Sequence, residues 1–493
     1  MKKLYIKAVS ALLLGGSMAS CGDDFLDTKL YDGIDTDSGL VNVDNIGYAV
    51  NGAYYNLYNY RFAGNFAINI GDIASDITYW NGLTGHFDDI YRFHPQETSN
   101  YLYYIWNYGY KVADNSARVI KAGNELYATT NEDEKPSLDL YLAEAYCLRA
   151  YSHFILVNVY GHQYKVNGQD FGAKPGIVII DEPVPANTQV ARATVAEAYT
   201  QIVSDLNNAI SHFKAAGGDR GDVVYFNLAA AYGLLSRVNL YMENWQGAID
   251  AADDAIATFG VTSLVYDDAA YKALYNGGTS NDESMFCLAI TPSDNWSANS
   301  SGYIWSSYNY SPSPYLQSLY GPNDCRLAIE TWGGSSTPQA PVYGGGKLAA
   351  FAYGNPSYGT EYIINAPEMF LNQAEAYLKI ATPDISKAQD ALLVVAKRNR
   401  DITSVADLPS DATGLMAFIK DERARELFQE GHRLYDLRRW DVMANVAATD
   451  APNIDYLVKN YKISDLVFPI PVDEINSGFG VTQTEGWSET LPQ

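Results

Sequence analysis

Cysteine is scarce in this chain, with four in 493 residues, at positions 21, 147, 287 and 325, and no CxxC pair. Beyond Cys21 an odd number remains, so no disulfide framework is implied. Cys147 lies in a helical pattern and reads as a small buried hydrophobe. The six histidines are dispersed, with no HExxH or HxH and no zinc-like spacing. There is no GxSxG elbow, no EF-hand loop, and YGGGKL (343–348) lacks the spacing and hydroxyl of a P-loop. Lysine and arginine number 33 against 58 acidic residues, a net charge of −25. Bulk charge therefore excludes attraction to nucleic acid or to an anionic membrane. No stretch reaches the ~18 uncharged apolar residues of a spanning helix.

What is present is apolar and rich in tyrosine. Hydrophobic residues make up 47%, enough for a large core. Tyrosine outnumbers phenylalanine 40 to 17. Many tyrosines belong at helix contacts, but the excess also points to surfaces apolar in body and polar at the edge, suited to uncharged polar ligands such as sugars. The N-terminus reads MKKLYIK, then an apolar run, then SMASCGDD (17–24). That is the grammar of an export signal, and Met18-Ala19-Ser20-Cys21 resembles a bacterial lipobox. The expectation is a lipoprotein signal peptide over 1–20, cleavage before Cys21 and acyl chains on Cys21. Several such chains anchor firmly at ~0.8 kcal/mol per buried CH₂. The acidic residues after Cys21 point to the outer face of an outer membrane.

The phrase AEAY occurs at 143–146, 196–199 and 374–377, and AAAY at 229–232, each in a helical pattern. Residues 227–259 and 365–400 look like tetratricopeptide helix pairs, with Ala248, Ala252 and Ala255 in the first and Ala388, Leu392 and Val395 in the second at spacings of four and three. Residues 261–364 have another texture, rich in Gly, Ser, Asn, Pro and aromatics, and read as loops with a few short strands. A mainly α fold is expected, with helical hairpins as scaffold and an irregular lobe. The divisions are 21–260 (helical), 261–364 (loop-rich, ligand-binding) and 365–493 (helical), with 21–493 forming one compact unit.

Six stretches carry a family resemblance: the lipobox with DFLD (24–27), GDIASD (71–76), LRAYSHFILVNVYG (148–161), NQAEAYL (372–378), IKDERARELFQEGHRLYDLRRW (419–440) and VFPIPVDEIN (467–476). In this order they resemble the signature of the SusD/RagB family. FPIP stands where Tyr-Pro-Ile-Pro is common, and Ala424 where a second arginine is frequent. The resemblance implies four tetratricopeptide-like pairs and a surface lipoprotein that binds oligosaccharides or other nutrients. It also implies a partner, a SusC-like TonB-dependent barrel transporter in the outer membrane, over which the lipoprotein closes. Within 419–440, Asp421 and Glu422 with Arg425, Glu430 with Arg433 and Asp436 with Arg439 have helical spacing, each worth ~0.2–0.5 kcal/mol if exposed. They are expected to pin the last helices against the irregular lobe, with Gly431 ending one helix.

Sugars present apolar C–H faces and a rim of hydroxyls, so a shallow site needs aromatic faces beside short polar side chains. Two stretches fit: DITYWNG, with Asp76, Tyr79, Trp80 and Asn81, and DNWSANSSGYIWSSYNY, with Asn295, Trp296, Tyr303, Trp305, Tyr308 and Tyr310. Trp80 and Trp305 are expected as stacking platforms because both sit in polar surroundings without a helical apolar period. The function expected is capture of a glycan at the cell surface and its delivery to the transporter, without catalysis, cofactor or metal. The alternatives are a surface glycoside hydrolase, which needs only two suitably spaced carboxylates, and a binder of peptides or other nutrients.

Overall fold

A computed structural model describes residues 39–80, 82–92, 95–308, 310–330, 332–333, 342–441 and 467–484. Cys21 and the signal segment lie outside the described residues. Of these residues 55% are helical and 7% are in strands. The longer helices are α1 (Val43–Tyr58), α2 (Phe66–Ile73), α3 (Asn100–Tyr127), α4 (Lys135–Tyr160), α5 (Val195–Ala216), α6 (Leu228–Tyr241) and α7 (Trp245–Phe259). After the irregular region, which contains the short α8 (Ser301–Ser306), come α9 (Ala366–Lys379), α10 (Ile385–Ala396), α11 (Ala412–Glu426) and α12 (Arg433–Trp440). Short strands β1 (Thr78–Trp80) and β3 (Tyr310–Pro312) pair antiparallel, as do β2 (Ser284–Leu288) and β4 (Glu361–Asn365).

Successive helices pack as hairpins: α3 on α4, α4 on α5, α6 on α7 and α9 on α10. The four AEAY and AAAY phrases fall in α4, α5, α9 and α6. Small side chains there allow close approach, and Ala143, Ala198, Ala230 and Ala374 are fully buried. Helix α4 is buried on nearly every face from Leu138 onward, its charged Asp139, Glu144 and Arg149 each paired, and runs through the centre of the scaffold. The main apolar core extends from Val43 to Val481, and a smaller cluster gathers Tyr271, Leu274, Tyr275, Cys287, Cys325, Ile329 and Tyr362. The irregular region is continuous with it, because Phe286, Trp305 and Ile364 belong to that core and β4 runs directly into α9.

Two signature segments meet backbone to backbone. A Cβ at Gly71 would lie 2.0 Å from the Gly431 carbonyl oxygen, and one at Gly431, where φ is 77°, would lie 2.5 Å from the Ile68 carbonyl oxygen. Only glycine fits both places. The closeness lets the Asp72 carboxylate accept the Gly431 and Arg433 backbone N–H groups at 3.2 and 3.3 Å. Helix α11 ends at Glu426, and Gly431 turns the chain into α12.

Candidate functional site

The pairing of β1 with β3, Thr78 opposite Pro312 and Trp80 opposite Tyr310, joins the two stretches singled out in the sequence. The Tyr310 hydroxyl donates to the His86 carbonyl oxygen at 2.6 Å, and Thr84 Oγ1 donates to that of Tyr308 at 2.9 Å. Above this seam lies a cleft of about 570 Å³.

Four segments build the cleft. The turn from α1 to α2 supplies Tyr60, Asn65 and Phe66, and the start of α3 supplies Asn100, Tyr101 and Tyr104. Residues 85–89 supply His86, Phe87 and Asp89, and residues 298–308 supply Asn299, Ile304 and Tyr308. The first turn is tight: the Asn59 carbonyl accepts from the N–H groups of Phe62 and Gly64. A Cβ at Gly64 would lie 2.0 Å from the Tyr58 carbonyl oxygen. Phe62 and Ala63 turn inward, leaving Tyr60 and Arg61 half-exposed.

The rings hold one another in place. Phe66 lies edge-on to Tyr101 at 4.9 Å and to Tyr60 at 5.6 Å between centroids, while Phe87 stacks on Tyr101 at 3.9 Å. On the other wall, His86 stacks on Tyr308 at 3.7 Å. Tyr60, Phe66, His86, Tyr101, Tyr104 and Tyr308 are each half-buried, so part of every ring remains open. Exposed amides at Gln96, Asn100 and Asn299 lie among them, and buried Asn65 donates to the Asn299 carbonyl at 2.7 Å. Burial lowers the His86 pKa, favouring the neutral ring, and raises that of Asp89. The arrangement offers aromatic faces and amide edges in an open cleft, the chemistry that fits a sugar ring.

Of the residues anticipated from sequence, Tyr308 lines the cleft. Tyr303 lies 6.1 Å from it, ring to ring. Trp296 stands beside Tyr60 at 5.6 Å, its indole N–H donated to the Tyr58 carbonyl. Asn295 spends its amide on the Thr291 and Pro292 carbonyls of its own turn. Tyr79 is half-buried on β1, and Asn81 lies outside the described residues.

The two expected platforms are corrected. Trp305 is 0% exposed, sits on α8 rather than in a loop, and donates its indole N–H to Asn69 at 2.7 Å. Trp80 is 4% exposed and packs flat toward Tyr310, itself buried, at 6.1 Å. Asp76 is buried in an ion pair with Arg433. Buried, these four present no face to a ligand. Tyr60, Phe66, His86, Tyr101 and Tyr104 were missed. The signal for Tyr60, Tyr101 and Tyr104 is the clustering of Tyr and Asn in YNLYNYRF (55–62) and NYLYYIWNYGYK (100–111), the same texture that marked 295–310; Phe66 and His86 lie outside these stretches.

Behind the cleft the signature helices form a buried ionic hub. Arg326 from the irregular region donates to Asp324, Glu422 and Glu426. Lys347 pairs with Glu430, Arg423 with Asp436, and Arg439 with Asp436 and Glu375. Burial alone would raise Glu422, but Arg326 and Arg425 outweigh it and hold the carboxyl down to about 2. Two expected spacings form, Glu422 with Arg425 and Asp436 with Arg439, both buried rather than exposed. Glu430 and Arg433 instead choose Lys347 and Asp76, and Asp421 accepts from the Tyr315 hydroxyl.

Among the described residues no group of three or more His, Cys, Asp or Glu could hold a metal ion, and no helix is long and apolar enough to cross a membrane. No protein of curated function matches the chain. A family model described as "Starch-binding associating with outer membrane" matches residues 24–240, and that of the SusD family matches 353–487. Among solved structures, a SusD superfamily protein from Bacteroides thetaiotaomicron aligns with a TM-score of 0.79 and 25% identity, over 90% of this chain and all of that one. A SusD superfamily protein from Bacteroides vulgatus aligns at 0.73 and 22%, over 92% and 99% of the two chains. A SusD-like carbohydrate binding protein from the same species aligns at 0.67 and 19%, over 82% and 84%. The helical scaffold, the two signature segments joined at Gly71 and Gly431 and the two family models agree: the chain belongs to the SusD/RagB family.

Proposed function

We propose that this protein captures a glycan in the cleft between the α1–α2 turn, the start of α3 and residues 298–308. It then hands the glycan to a SusC-like TonB-dependent transporter while tethered to the outer face of the outer membrane through a lipid on Cys21. The observation that carries the reading is the set of six partly open rings, Tyr60, Phe66, His86, Tyr101, Tyr104 and Tyr308, interleaved with amides in one cleft of about 570 Å³. A binding role for the family supports it, as does the carbohydrate binding named for one structural relative. The rings would cover the C–H faces of pyranose units, and Gln96, Asn100 and Asn299 would pair with hydroxyls. Binding without turnover is the reading, since the cleft supplies stacking and hydrogen bonds and Asp89 is the one carboxylate among its lining residues; hydrolysis by a carboxylate pair needs two.

Calorimetric titration with a panel of oligosaccharides tests the site. Tyr60→Ala with Tyr104→Ala should weaken the best ligand by about tenfold or more. Unchanged affinity would remove the cleft from the reading, and heat continuing past saturation would restore a hydrolase. Separately, Cys21→Ala should give a protein released from membranes when the transporter is absent. Retention would remove the lipid anchor.

A further inference from the structure

Arginine is nearly always satisfied in this molecule. Arg118, Arg149, Arg220, Arg237, Arg326, Arg398 and Arg400 form ion pairs, as do Arg423, Arg425, Arg433 and Arg439. Arg192 and Arg438 donate to backbone carbonyls. The two that remain are Arg61 and Arg92, which among the described residues have no carboxylate or carbonyl acceptor for their guanidinium groups. The Nε of each is buried without a partner, as are those of Arg398 and Arg438, whose other guanidinium nitrogens are paired.

Arg61 belongs to the turn that shapes the cleft and stands beside its wall, and Arg92 follows the 85–89 segment; neither is itself a lining residue. The Arg61 guanidinium lies 4.5 Å from the centre of the Tyr60 ring and 4.7 Å from that of Tyr104, two rings of the cleft wall. The Tyr104 side chain is its hydrogen-bonding neighbour. Arg92 lies 5.1 Å from the Trp80 ring, in the segment that carries His86 and Asp89. A buried guanidinium nitrogen without an acceptor is costly. An arginine held by aromatic faces, with donors left over beyond the bond to Tyr104, suits a planar or multi-oxygen anion, because its fork matches carboxylate or sulfate in paired hydrogen bonds.

We propose that the cleft recognises an acidic glycan, with Arg61, flanked by Tyr60 and Tyr104, binding a carboxylate or sulfate carried by a sugar unit stacked on those rings. The proposal rests on the reading of the cleft as a glycan site and names the class of glycan. The net charge of −25 does not forbid it. At physiological ionic strength charges beyond ~8 Å are largely screened, so the groups within contact decide.

Titration calorimetry with matched oligosaccharides tests this: tetragalacturonate for a carboxylate, a sulfated galactan oligosaccharide for a sulfate, and uncharged galactan and maltotetraose as neutral partners. The wild type should bind one anionic member at least about tenfold more tightly than its uncharged counterpart, and that preference should shrink as salt rises. Arg61→Gln should lose about tenfold or more on the anionic ligand and less than about twofold on the neutral ones, while Arg61→Lys should retain part of the preference. The carboxylate and sulfate arms identify which anion is read. Equal affinity for charged and uncharged members, or an Arg61→Gln variant that keeps the preference, overturns the inference. Neutral binding that depends on Tyr104 while anionic ligands fail overturns it too, yet leaves the glycan site standing. If no member of the panel binds, the glycan site itself falls, and the inference with it.

Discussion

In the hub behind α11 and α12, Arg326 is 0% exposed and holds three carboxylates, Asp324, Glu422 and Glu426. At the cleft, Arg61 is half-exposed, lies between two tyrosine rings and holds no carboxylate. Tryptophan and tyrosine divide in the same way. Trp305 is sealed under α8 with its N–H spent on Asn69, whereas Tyr104 keeps part of its ring open. Residue type does not tell scaffold from site in this protein. For these arginines and rings, what separates them is whether ion-pairing capacity and ring faces are already taken by the fold. Buried charge that is fully paired fixes the irregular region to the helices, and removing one partner strands the rest. Unspent donors and faces remain where a ligand can complete them.

The contrast breaks most easily at the hub. Arg326→Ala should cost on the order of 3–5 kcal/mol in chemical denaturation, because three carboxylates lose their shared cation. A change within ~0.5 kcal/mol would mean that the hub contributes little. Trp305→Ala should cost roughly 3 kcal/mol as a core cavity and leave the Asn69 oxygen without its donor. An unchanged stability with lost ligand binding would instead return Trp305 to the site.

A pH titration sharpens the comparison from inside the fold. Glu361 on β4 is 1% exposed, and among the described residues no cation pairs with it, the Ser301 hydroxyl being its hydrogen-bonding neighbour. Burial raises its pKa from 4.5 to about 8. Between those values the folded state holds a proton that the unfolded chain releases, so the contribution of Glu361 to stability falls as pH rises from about 5 to 8, alongside those of Asp72, Glu144 and Glu330 and against those of His153, His162 and His432. Glu361→Gln should flatten that slope and gain on the order of 1 kcal/mol at pH 8. A wild-type slope kept by the variant would assign the titration elsewhere. Glu422 carries the opposite sign: its pKa is held down to about 2, so its contribution is complete above pH ~5 and fades as pH falls toward 2. The smallest effect on stability belongs to the cleft. Tyr104→Ala should change it by less than ~0.5 kcal/mol, in contrast to its effect on ligand affinity. A large thermal destabilisation would make Tyr104 part of the packing.

The scaffold was legible because helix pairs announce themselves by period. The AEAY phrases, the alanines at spacings of four and three, and Gly431 as a helix stop all report local geometry, and the structure places hairpins and a turn there. Ion pairs were half legible. Glu422–Arg425 and Asp436–Arg439 lie within one helix, but Arg433 takes Asp76 and Glu430 takes Lys347 from far along the chain, and spacing carries no such information. The two tryptophans misled for a related reason. Polar neighbours looked like a solvated loop, yet Asn69 is the buried partner of Trp305, and β1–β3 pairing covers Trp80. Conversely, the aromatics of α3 lie on a helix, where ring spacing alone does not tell which faces stay open. Tyr101 and Tyr104 line the cleft only because the α1–α2 turn and residues 298–308 pack beside them without covering them.

The most direct measurement is a crystal structure of the protein with its best-binding oligosaccharide. The account predicts sugar rings against Tyr60, Tyr104 and Tyr308, with amide contacts from Asn100 or Asn299. Density for the sugar in the separate groove beside Trp106, Tyr110 and Phe479, with the cleft empty, would contradict it.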